Sequence, residues 1–237
     1  MFILRRIIYF LAIPILLFVG GSVVVESFAE SQLANGMRST LDLKERPSVQ
    51  IESFPILYRV FQGRIPRVLV EAETFVIEGL EIAELTIDME GVKTSFGTLV
   101  RQNRFDLTIE KGSGNARITQ TAINAFLARE KKDVVVTLGA GEVVTVTADE
   151  VIAGTRHRFV ATGKLKLGGR VLTFTPTRTT MDGLPVPSAL RPRARRETTF
   201  SVEIPKLPAG ITASRVVVSE GQLALIANLD DFVLKVR

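Results

Sequence analysis

From Ser48 to the C-terminus, apolar and polar residues alternate with a period of two, the signature of strands that bury one face. "VQIE" reads as a short strand, and "RVLVEAETFVIE", "EIAELTIDME" and "RFDLTIE" extend the theme. In the third of these four, Leu85, Ile87 and Met89 face one way and Glu84, Thr86, Asp88 and Glu90 the other; in the fourth, Phe105, Leu107 and Ile109 point inward. Glu78-Gly79-Leu80-Glu81 predicts a hairpin turn. Further strands are expected at "DVVVTL", "EVVTVTA", "HRFVATGKLKL", "RVLTFTPT", "TTFSVEI", "ASRVVVSE", "GQLALIANL" and "DDFVLKV", with Gly-rich or Pro-rich turns between most of them. The pattern is that of an antiparallel sheet with one wet face.

Three segments carry helical signals instead. Ala29, Leu33, Met37 and Leu41 lie four apart, one stripe of a helix that Pro47 ends. In "IESFPILYRVFQGRI", Pro55 suits the first turn of a short helix and Gly63 its C-terminal end. In "TQTAINAFLAREKK", Thr119 or Thr121 caps a helix, Ile123, Phe126 and Leu127 form its buried stripe, and Arg129, Lys131 and Lys132 complement its C-terminal dipole. The class is therefore α+β. "DGLPVPSALRPRARRE", from Asp182 to Glu197, reads as a loop rich in Pro and Arg that does not fit a sheet.

The N-terminus stands apart. After Arg5 and Arg6 no charge occurs from Ile7 to Val25, a run of 19 residues. A bilayer core of about 30 Å takes roughly 20 apolar helical residues, so the segment is long enough to span and long for a signal peptide. The arginine pair orients it with its N-terminus in the cytoplasm. Residues 1–25 are thus an anchor or, with Ser27 and Ala29 supplying a small-x-small site, a cleaved signal. Residues 26–237 read as one domain at the cell membrane on the side away from the cytoplasm, in the periplasm or cell envelope.

Composition narrows the chemistry. The 237 residues include no cysteine, which excludes disulfides, thiolate metal sites and thiol nucleophiles. The only histidine, His157, sits between two arginines whose charge works against its action as a base. Asp149-Glu150 and Asp230-Asp231 are strand neighbours whose side chains point to opposite faces, unsuited to paired acid–base work. "GSG" at 112–114 and "GAG" at 139–141 lack the lysine and the strand–loop–helix setting of a phosphate cradle and read as hairpin turns. No catalytic residue, metal site or cofactor is expected.

The net charge of +5 points to an anionic partner, and the charges separate along the chain. Glu71 to Glu90 contains seven acids and no base, whereas Arg156 to Arg196 contains ten bases against Asp182 alone. "RPRARR" reads either as a solvated flexible loop or as a grip for phosphates; without aromatics or a recognition helix beside it, an anionic lipid headgroup is the expected partner in the second case rather than nucleic acid. Fourteen phenylalanines and no tryptophan make either a filled core or an apolar groove for acyl chains.

"VQIESFPILYRVFQGRIPRVLVEAETFVIEGLEIAELTIDMEGV", then "ARITQTAINAFLA", then "LPAGITASRVVVSEGQLALIANLDDFVL", behind a single hydrophobic segment, resembles the LmeA-like phospholipid-binding family of bacterial envelope proteins. The resemblance covers most of residues 48–233; its most specific parts are Ser53-Phe54-Pro55 with Gly63-Arg64 and, near the end, Leu207-Pro208-Ala209-Gly210, and it is weakest from Gly154 to Glu197. It implies a fold like the tubular lipid-binding modules of the bactericidal permeability-increasing type, a curved antiparallel sheet wrapped on one or two helices. It also implies binding of anionic phospholipid, a part in envelope glycolipid assembly or lipid transfer, and no catalytic motif. Residue type and placement select Phe54, Ile56, Leu57, Phe61, Phe75, Phe105 and Phe126 as acyl-chain contacts and Arg191, Arg193, Arg195 and Arg196 as headgroup contacts. The alternative is a non-catalytic scaffold that docks an acidic envelope protein through the same basic face.

Overall fold

The computed structural model describes Glu30, Ser31, Ala34, Asn35 and Arg38 and residues 45–52, 63–77, 79–94, 105–130, 133–204 and 210–236. Antiparallel strands predominate among them, with two short helices and no closed barrel. One sheet has the order β1-β2-β3-β4-β12-β11, built from Ser48–Glu52, Arg64–Ile77, Leu80–Thr94, Phe105–Thr119, Gln222–Val236 and Ile211–Ser219. A second has the order β10-β8-β7-β6-β5, built from Ser201–Glu203, Val171–Met181, Thr155–Gly168, Val144–Ile152 and Val134–Leu138, with β9 (Leu184–Pro185) paired to β8. Helix α1 is Gln120–Arg129 and helix α2 is Arg191–Thr198. Among the described residues no helix is long and apolar enough to cross a membrane, and the apolar run from Ile7 to Val25 lies outside them.

The chain divides into two compact units, one of residues 1–72, 87–112 and 229–237, the other of residues 73–86 and 113–228. In the first, Val68, Val70, Met89, Val92, Ile109 and Leu229 are buried. In the second the core holds Phe75, Ile82, Ile118, Leu127, Val136, Val146, Phe159 and Phe174. Phe174 stacks on Phe200 with ring centroids 5.7 Å apart.

Several expectations from the sequence hold. Gly79, at φ +87°, makes the β2–β3 turn. The side chain of Thr119 accepts a hydrogen bond from the Ala122 amide and caps α1, whose Leu127 is buried and whose Ile123 and Phe126 are half-buried. "GAG" at 139–141 lies between β5 and β6 as a turn. Met89 is buried as expected, but Leu85, Ile87, Glu84, Thr86 and Asp88 are all partly covered, so β3 does not have one dry and one wet face along its length.

Other expectations need correction. "GSG" at 112–114 lies inside β4, not in a turn. A Cβ on Gly112 would stand 2.7 Å from the Asp88 carbonyl oxygen, so the glycine lets β3 and β4 come close together. "GQLALIANL" and "DDFVLKV" form the single strand β12, whose irregularity is absorbed by Asp231 at φ +46°. The Pro/Arg segment is structured: Asp182 and Gly183, at φ +51° and +81°, make a tight β8–β9 hairpin, Ser188–Leu190 form a 3₁₀ turn, and the arginines lie on α2. Proline fits there because the first helical turn needs no partner for its missing N–H. The stripe Ala29, Leu33, Met37 and Leu41 and the segment 53–62 lie outside the described residues.

The acidic run is also less bare than its sequence. Arg67 grips Asp88 through two bonds, Nε to Oδ1 at 2.8 Å and Nη2 to Oδ2 at 2.7 Å, and Arg117 pairs with Glu84. On the next strand, Lys93 and Arg64 share Glu110 at 2.7 and 3.3 Å.

Candidate functional site

The candidate headgroup residues are gathered on α2, an eight-residue helix with arginine at half its positions. No side chain caps its N-terminus, so propensity alone would not hold so short a helix, and tertiary seating must. Ala194 and Thr198, four residues apart and so on one face, are 1% and 0% exposed. Ala194 clusters with Phe159 of β7 and with Val186, flanked by Ile152, Met181 and Leu190. The Thr198 hydroxyl donates to the Ala194 carbonyl at 2.8 Å, which satisfies a polar group buried in that seat.

The arginines divide by environment. Arg191 donates from Nε to the Val186 carbonyl at 3.4 Å and closes the chain into the helix. Arg193 donates from Nε to Glu150 Oε1 on β6 at 2.7 Å, and its Nη2 reaches the same oxygen. That bond to Glu150 lifts the Arg193 guanidinium further above its already high range, so it stays charged. Arg195 and Arg196 are exposed, and their guanidinium groups have no partner among the described residues. At 100° per residue Arg196 projects about 200° from Ala194, directly away from the sheet.

Beside this helix lies a polar cluster of which the sequence gives only fragments. Glu150 and His157 face each other across β6 and β7, and His157 Nδ1 stands 2.7 Å from Asp182 Oδ2. Asp182 also accepts from the Arg158 amide at 2.9 Å, and these bonds hold its carboxyl below the usual range, the backbone bond contributing most and His157 next. Glu150 Oε2 is buried without a hydrogen-bond partner among the described residues. Asp149 points to the opposite face of β6, as strand neighbours must, and pairs with Arg158 at 2.9 Å. The signal for this cluster was the lone histidine and the Asp-Gly hairpin, but nothing in one sequence says that they meet.

Of the acyl-chain candidates only Phe75 and Phe126 have described side chains, and neither belongs to the cluster that seats α2. Phe54, Ile56, Leu57 and Phe61 lie outside the described residues, and so does the side chain of Phe105 on β4. Phe75, on the first sheet, is 2% exposed and fills the core of its unit; Phe126 is half-buried on α1. Two clefts among the described residues are lined mostly by polar and charged residues. One of about 210 Å³ crosses the first sheet between Glu84, Asn115, Arg117 and Gln222. The other, about 410 Å³, is lined by Asp149, Arg156, Arg158, Val160 and Asp182.

A small helix thus turns Arg195 and Arg196 to solvent from a β-sheet, as donors open to an anionic group, and no metal-ligand cluster occurs among the described residues. A family model narrows the class: that of LmeA-like phospholipid-binding proteins matches residues 20–228, and the chain belongs to this family. Membership gives it a lipid-binding role with phospholipid as partner. No curated protein and no solved structure matches the chain.

Proposed function

We propose that the chain is a membrane-anchored, extracytoplasmic phospholipid-binding protein of the bacterial envelope, without catalytic chemistry, that assists lipid transfer or glycolipid assembly. The observation that carries the reading is the seat of α2 in a member of a phospholipid-binding family: Ala194 and Thr198 fix the helix, Glu150 holds Arg193, and Arg195 and Arg196 are left for a phosphate. Anionic headgroups are favoured over zwitterionic ones because two adjacent guanidinium groups without carboxylate partners have no use for a headgroup's own cation. Acyl chains would be received by apolar side chains, for which Phe54, Ile56, Leu57, Phe61, Phe75, Phe105 and Phe126 are the candidates that residue type selects. The uncharged run from Ile7 to Val25 supports the anchor and the location.

Native mass spectrometry of the full chain, released gently from detergent, tests the reading. Phospholipid that co-purifies at a defined ratio and is enriched in anionic species is the expected result. Protein that is consistently free of lipid, and that captures an acidic envelope protein through Arg195 and Arg196, would replace this reading with the scaffold one.

A further inference from the structure

The second sheet carries a cationic surface on the face opposite α2. Along β7 the side chains alternate, and Arg156, Arg158, Lys164 and Lys166 are all exposed at even positions, while Phe159 and Ala161 between them are fully buried. The four span about 33 Å at 3.3 Å per residue. Cross-strand pairing places exposed Arg178 of β8, opposite Thr162, on this same face. Because Ala194 packs on Phe159, α2 lies on the other side of the sheet. Arg196 and the β7 stripe therefore point in opposite directions, separated by the sheet and by a helix about 10 Å across.

Carboxylates on the stripe face do not cancel it. Asp149 engages Arg158, Glu142 reaches Lys164 at 3.5 Å, and Glu203, opposite Val171 on the same face, is taken by Arg170 at 3.2 Å, whereas Arg156, Lys166 and Arg178 make no hydrogen bond or salt bridge among the described residues. The 410 Å³ cleft lies at one end of the stripe. Both of its carboxylates are already hydrogen-bonded, Asp149 by the Arg158 side chain and Asp182 by the Arg158 amide and His157, so Arg156, whose charge acts on Asp149, makes no hydrogen bond at its wall. Around the cations the face bears Thr145, Thr147 and Thr162, hydroxyls suited to phosphate oxygens, and its positions on β6, β7 and β8 include no aromatic ring on which a base would stack.

We propose that these two opposed cationic faces let one chain hold two anionic lipid surfaces together, α2 against one and the β7 stripe against the other. The proposal rests on the phospholipid reading above, and its occupant is the charged surface of a bilayer. The test uses the full chain in neutral phosphatidylcholine nanodiscs, one chain per disc, mixed with vesicles containing 30% phosphatidylglycerol; flotation reads binding and light scattering reads vesicle clustering. The unaltered chain should bind and cluster them. With each cation near an anionic surface worth about five-fold in affinity, R156Q/K166Q/R178Q and R195Q/R196Q should each still float with single vesicles but lower clustering by at least about ten-fold. An unaltered chain that binds without clustering, or either variant clustering as well as the unaltered chain, overturns the two-face proposal and leaves lipid binding standing. Absence of flotation together with lipid-free protein in mass spectrometry sinks both readings. Clustering abolished by short RNA, with the β7 variant losing RNA binding and not vesicle binding, would assign the stripe to nucleic acid instead.

Discussion

Removing one amide from α1 should cost about as much as a core truncation, because Asn124 closes the edge of the second sheet. Strand β5 is the last in its sheet, and an open edge presents unpaired backbone groups. Here Asn124 Nδ2 donates to the Val136 carbonyl at 2.9 Å while Asn124 Oδ1 accepts from the Val136 amide at 2.7 Å, as a neighbouring strand would. Gln120 Oε1 accepts from the Leu138 amide at 2.8 Å, and the Gly221 amide donates to the Leu138 carbonyl at 2.9 Å. Val136 is 1% exposed, so water does not replace a lost partner easily. Each net hydrogen bond is worth about 1 kcal/mol, and each buried group left unpaired costs about 1–3 kcal/mol. For Asn124→Ala the two stranded groups give a loss of about 3 kcal/mol, a large share of the roughly 5–15 kcal/mol of a typical domain. Urea denaturation should show a lower midpoint at unchanged slope, with faster aggregation through the bared edge. Thr121→Ala, at an exposed position on the same helix, is the control and should stay within about 0.5 kcal/mol. If Asn124→Ala falls within that same margin, α1 is not the cap of this sheet.

Three further outcomes follow from local geometry. Gly163→Ala should destabilise by about 3 kcal/mol in thermal or urea melts, because its Cβ would meet the Thr175 carbonyl oxygen at 2.1 Å beside a bulge where β8 cannot retreat freely. Ala153→Asn should raise stability by about 0.5–1 kcal/mol, since Ala153 sits at φ +52° in the β6–β7 turn, a region that asparagine tolerates better; a lowered melting temperature would contradict this. Acid should weaken the fold through the paired carboxylates. The bidentate bond to Arg67 holds Asp88 below its ordinary 3.8, so its contribution is complete above the ordinary carboxylate range and is lost as pH falls through the depressed value. Stability measured from pH 6 downward should therefore decline below about pH 4, and Asp88→Asn should flatten that decline; an unchanged slope would mean that Asp88 is not paired in solution.

What the sequence makes legible is whatever depends on one strand or helix at a time. The alternation in "TRHRFVATGKLKL" is enough to place Arg156, Arg158, Lys164 and Lys166 on one face before any partner strand is known. The cap at Thr119 and the turn at Gly79 are local in the same sense. The division into two sheets is not, because it depends on which strands pair, and "GSG" has the composition of a turn but serves a close approach between β3 and β4. The largest misreading, of 182–197 as a loop, has the same origin. With a proline, four arginines and little apolar residue, α2 has no amphipathic stripe to detect; two small side chains, Ala194 and Thr198, suffice to seat it because the pocket around Phe159 is supplied by other elements.

This seating bears directly on how a site made of arginines can exist on so small a helix. Four guanidinium groups within six residues repel one another, and a flexible loop would relieve the repulsion by spreading them. Glu150 offsets it at one point, taking Arg193 with one carboxylate oxygen, and Arg191 is spent on the Val186 carbonyl. Only Arg195 and Arg196 remain, on a backbone that is already ordered, so in the proposed site a phosphate would not have to order the segment first. The carboxylate that holds the helix thus also selects which of its charges are available, and a chain that lost Glu150 would keep all four arginines yet present a less definite site.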